Sequence, residues 1–167
     1  ITEADKIQII KTATRWAINH LLSSQDLLQS ANNIYLITEN LPPAWIPTFT
    51  QYPVIPITPT EIQQIAKDNQ HILMYLSFTE IQFGPDGIAQ ITISSIPAAP
   101  DGGGAELGGE AKLQFEQTNG EWILTVLWIA VSYSNPSVIM QALPACLRRH
   151  DAYKCKPPKL GDIKPKA

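Results

Sequence analysis

The side chains with the most reactive chemistry lie near the C-terminal end. Cys146 and Cys155 are the chain's two cysteines, with His150 and Asp151 between them. A disulfide closing so short a loop would stabilise by ~2–3 kcal/mol and pin the tail to the helix before it; in a reducing compartment both would stay thiols. Their spacing matches no zinc motif, so no metal is expected. Asp101, Glu106 and Glu110 flank a glycine run that invites a calcium reading, but neither an EF-hand nor a glycine-rich β-roll spaces its ligands this way. They read as solvated loop carboxylates. The chain has no phosphate-binding glycine motif, no Ser-His-Asp context and no metal-binding histidine pair, and no cofactor is expected.

Pro53, Pro56 and Pro59 fall at polyproline spacing, which proline-reading domains recognise. They belong to a stretch, 41–59, that also holds Pro42, Pro43, Pro47, Trp45, Phe49 and Tyr52. The missing N–H donors exclude a central strand or helix there, and the aromatics predict a loop packed on the body. Trp16, Trp45, Trp122 and Trp128 are core or interface residues, or the lining of an apolar ligand cavity.

Charge is divided unevenly. Residues 1–146 carry five basic and thirteen acidic side chains, whereas 147–167 carry seven basic and two acidic. An acidic body repels phosphate, so nucleic acid could be approached only by the basic tail. The longest apolar run, about a dozen residues, is shorter than the ~20 a membrane helix needs. The chain opens on Ile1 without a methionine, so removal of an upstream segment is expected, and with the cysteine pair the reading leans toward export.

The elements that must position these groups can be read from spacing. Thr2 with Asp5 forms a capping box before Ile7, Ile10, Ala13, Ala17, Leu21 and Leu22, a helical stripe. Ser23 to Asp26 starts a second short helix or marks a kink, and 35–38 reads as a short strand. Thr58-Pro59-Thr60-Glu61 caps a third helix. Two hairpins follow: 72–83 with 88–96, then 111–116 with 122–133 around Asn119-Gly120, whose positive φ suits a type I′ turn. Gly108-Gly109 suggests a bulge or a bend that curls the sheet. Val138 to Leu147 presents an apolar helical face interrupted by Pro144. The expected division is one α+β domain over 1–147, with a mainly antiparallel sheet of four to five strands and a short C-terminal helix, followed by a basic tail over 148–167.

The return strand is apolar on both faces. Regular alternation puts Ile123, Leu127, Ile129 and Val131 on one and Trp122, Leu124, Val126 and Trp128 on the other. One row packs on the N-terminal helix. The other needs a cover, either the C-terminal helix or a second copy, and a homodimer through the outer sheet face is expected.

Helices first, then a meander that runs through the Gly108-Gly109 bend and the Phe115 strand to Asn119-Gly120-Glu121-Trp122, resembles the cystatin-like roll of the nuclear transport factor 2-like superfamily over about residues 3–133. That resemblance implies a cone between sheet and helices. It nominates His20, Asp26, Tyr35, His71, Tyr75 and Glu80 as polar groups, with His20, Tyr35 and Tyr75 as the catalytic candidates. It also implies a ligand cavity lined by Trp16, Tyr75, Trp122 and Trp128 that could take a small apolar ligand. The superfamily mixes lyases and isomerases with binding and assembly domains. The first expectation is a non-catalytic binding or assembly domain. The alternatives are a cofactor-independent lyase or isomerase using the cone, and an adaptor recruiting a partner through the proline stretch or tail.

Overall fold

Three capping boxes set where the helices begin. Thr2 with Asp5 starts α1 (Glu3–His20), Ser23 with Asp26 starts α2 (Ser24–Gln29), and Thr58 with Glu61 starts α3 (Pro59–Asn69), in each case by reciprocal bonds between side chain and backbone. Pro59 occupies the first helical turn, where its missing N–H costs nothing. The computed structural model describes residues 1–102 and 108–132. Cys146, Cys155, Glu106, the expected C-terminal helix and the basic tail lie outside the described residues.

Among the described residues six strands form one mixed sheet: β1 (Ile34–Ile37), β2 (Val54–Ile57), β3 (Leu73–Phe83), β4 (Ile88–Ala98), β5 (Gly108–Thr118) and β6 (Glu121–Ser132), in the spatial order β2-β1-β3-β4-β5-β6. β3 to β6 make the expected antiparallel meander. β1, however, runs parallel to both β2 and β3. Parallel neighbours need crossovers, which the proline stretch supplies between β1 and β2, and α3 between β2 and β3. The expectation of four to five strands is corrected to six, because β2 is hidden among prolines. Pro56 sits inside it, exposed on the edge strand where a missing N–H is tolerated. The three prolines at polyproline spacing are exposed and take separate places in the fold: Pro53 accepts from the Ile34 N–H at 2.8 Å, Pro56 pairs with Leu36, and Pro59 begins α3.

Strand parity divides the core between two faces. Ile9, Ile10, Ala13, Trp16 and Ala17 of α1 pack on Leu36, Leu76, Phe78, Ile91, Ile93, Leu113 and Phe115. On the opposite face Ile62 and Ala66 of α3 pack with Tyr35, Ile37, Ile57, Leu73 and Ala98. The turn residues Asn119 and Gly120 both have positive φ, 53° and 83°, as a type I′ hairpin requires.

No register shift falls at Gly108-Gly109, where the ladder runs unbroken; the ladders shift instead between Phe78 and Glu80 of β3 and within β6. Gly108 has a different constraint: at φ 143°, a Cβ there would stand 2.5 Å from the Ser95 carbonyl oxygen. The shift in β6 falls at Leu127, since Lys112 pairs with Trp128 and Leu113 with Val126. One inserted residue reverses the alternation beyond it. Trp122, Leu124, Val126 and Ile129 therefore share the face packed on the α1 core. Ile123 and Trp128 lie on the outer face with Glu116 and Lys112. Regular alternation had exchanged Trp128 and Ile129, and that assignment is corrected.

Candidate functional site

The catalytic candidates do not converge. His20 ends α1 as an exposed residue, its ring stacked on Trp16 at 4.5 Å and its Nδ1 2.7 Å from the Trp16 carbonyl oxygen. A carbonyl only accepts, so Nδ1 donates and the ring serves to cap its own helix end. Tyr35 and Tyr75 stand side by side across the β1–β3 ladder, on the face opposite α1. The parity of the sheet thus separates the histidine from both tyrosines. Asp26 caps α2, and His71 is exposed just past α3.

Tyr75 does border an open groove of about 490 Å³ between α3 and the β3–β4 pair, lined also by Thr60, Gln63, Gln64, Lys67 and Pro97. Partial burial raises its hydroxyl above the ordinary tyrosine value. Gln63 is committed to the Ala99 carbonyl.

Of the expected cavity tryptophans, Trp16 is buried in the α1 core and Trp122 is half-buried on the inner face. Trp128 is 40% exposed on the outer face and lines no wall under α1. None of the three lines the groove beside Tyr75.

The outer face of the meander is mostly a polar lattice. Lys112 bridges to Glu80 at 3.0 Å, Thr92 donates to Glu80 at 3.1 Å, and Ser94 donates to Glu110 at 2.8 Å. Lys112 and Thr92 hold the Glu80 carboxyl below its ordinary value. Glu110 is thus occupied by a serine hydroxyl. Among the described residues no group of three or more His, Cys, Asp or Glu side chains could hold a metal ion. No described helix is long and apolar enough to cross a membrane.

The apolar exception on this face is β6. It is the last strand of the sheet among the described residues, twelve residues long, and carries no charge from Trp122 to Ser132. Ile123, Leu127 and Trp128 are 46%, 38% and 40% exposed. Among the described residues no strand pairs with its far side. Sequence spacing showed the strand's two apolar rows but not its place at the edge, which depends on the order of all six strands.

Sequence reasoning also missed how α1 is fastened. The Trp122 indole donates to Asp5 at 2.9 Å, and the Trp45 indole donates to Glu3. Lys6 pairs with Glu3 at 3.3 Å and lies 5.7 Å from the ring centres of both Trp45 and Phe83. The first turn of α1 is therefore gripped by the proline stretch on one side and by β6 on the other. Comparison with protein-family models, with curated proteins and with solved structures returned no match.

Proposed function

We propose that this chain is a non-catalytic binding or assembly domain whose partner is a β-strand added along β6. The observation that carries the reading is the contrast between the two sheet edges. β2 is four residues long and interrupted by Pro56, whereas β6 offers twelve residues, charge-free beyond Glu121, with large apolar side chains in solvent. An open edge is a template for another strand, and proteins blunt the edges they do not use. The resemblance to the nuclear transport factor 2-like superfamily belongs to this proposal; the order of helices followed by a meander supports it, and so do that superfamily's binding and assembly members.

A second reading, small-ligand binding, is favoured by the groove beside Tyr75 and not by a cone under α1. The lyase or isomerase reading draws no support from His20, which faces away from both tyrosines. Trp128 fluorescence tests the docking edge. Partner binding should blue-shift the emission and reduce acrylamide quenching, and Trp128→Phe should remove that response. A response unchanged in Trp128→Phe would place the docking surface elsewhere.

A further inference from the structure

We infer that the strand added at β6 is β6 of a second copy, antiparallel, about a two-fold axis through Thr125. This rests on the docking-edge reading and supplies its partner and register. The β5 ladder defines which way each residue faces: Trp122, Leu124, Val126 and Ile129 inward, Ile123, Thr125 and Trp128 outward, with Leu127 as the inserted residue. With Leu127 set aside, inward and outward positions alternate regularly, and of the axes this allows the one through Thr125 alone sets the exposed Ile123 against the exposed Trp128. An antiparallel copy then meets it with every pair on a common face.

The register places Thr125 against Thr125, Leu124 against Val126, Ile123 against Trp128 and Trp122 against Ile129. Two of the exposed apolar side chains on each chain are thereby matched as an aromatic with a β-branched residue, and Thr–Thr and aromatic–β-branched pairs are both favourable across strands. Charge agrees with this pairing. Glu121 falls opposite Ala130, so the two carboxylates lie at opposite ends of the strand pair, about 30 Å apart at ~3.4 Å per residue. A slip by one residue sets inward against outward positions. Moving the axis to Ile123 sets Trp128 against Asn119 in the turn, where no strand faces it. The half-buried inner row of each copy would continue into the other, joining two six-stranded sheets through an isologous contact.

Sedimentation velocity on the whole 167-residue chain, over a concentration series, tests the inference. The wild type should form a dimer. Thr125→Lys, which sets two ammonium groups about 5 Å apart across the axis, should weaken it at least tenfold, while Thr125→Val should keep it. Circular dichroism checks that both variants fold. Thr125→Cys should oxidise to a 125–125 disulfide identified by peptide mapping, because directly opposed residues lie within disulfide reach. A dimer unaffected by Thr125→Lys, or one without that cross-link, would overturn the register. A monomer whose β6 amides exchange freely would overturn self-pairing and leave the docking edge to another protein. A monomer with those amides protected would overturn both, since the chain's own residues would then occupy the edge.

Discussion

The Trp122 indole donates to the Asp5 carboxylate at 2.9 Å, joining the start of the last described strand to the first turn of the first helix. The same carboxylate accepts from the Thr2 amide and hydroxyl, so one side chain both caps α1 and anchors β6. Those bonds, the Trp122 contact foremost, lower its pKa from 3.8 to about 2. A folded-state value below the unfolded one contributes stability above about pH 4, and that contribution is lost as pH falls through about 2. NMR titration should find Asp5 near 2 in the wild type and closer to the ordinary range in Trp122→Phe. Trp122→Phe should also flatten the loss of stability between those pH values. An unchanged Asp5 titration would refute the indole contact.

Two glycines should respond unequally to alanine. Gly87 has φ 72° and open space around it, so Gly87→Ala should cost only the left-handed backbone penalty, about 1–2 kcal/mol. Gly108→Ala adds the collision with the Ser95 carbonyl and should cost more. Urea denaturation of both variants measures the order, and equal losses would contradict the close approach of β5 to β4.

Substitutions on either side of the Leu127 bulge test the corrected parity. Phe115→Ala removes a fully buried ring and should cost about 3–5 kcal/mol. Trp128→Ala, measured where the chain is monomeric, should cost about 1 kcal/mol or less, as surface changes do. A loss for Trp128 as large as that for Phe115 would put the indole in the core and remove the bulge.

Much of the local structure was legible because it is written in short-range chemistry. Thr2 with Asp5, Ser23 with Asp26, Thr58 with Glu61 and Asn119-Gly120 each fix a boundary within four residues. The meander followed from alternation and turns. β2 was not legible: four residues around Pro56 carry no strand signal until β1 lies beside them. The bulge was not legible either, because an inserted Leu127 among apolar neighbours leaves no mark on the pattern while reversing everything after it. His20 was nominated by residue type, yet its environment is decided by Trp16, one helical turn earlier.

Residue-resolved amide hydrogen exchange along β6 tests the docking edge most directly. In the isolated chain under monomeric conditions, the amides of 122–131 that point away from β5 should exchange rapidly while those bonded to β5 stay protected, giving an alternating pattern. Bound to its partner, the exchanging set should become protected as well. Uniform protection of the whole strand in the monomer would show that its edge is already occupied, and would contradict the account.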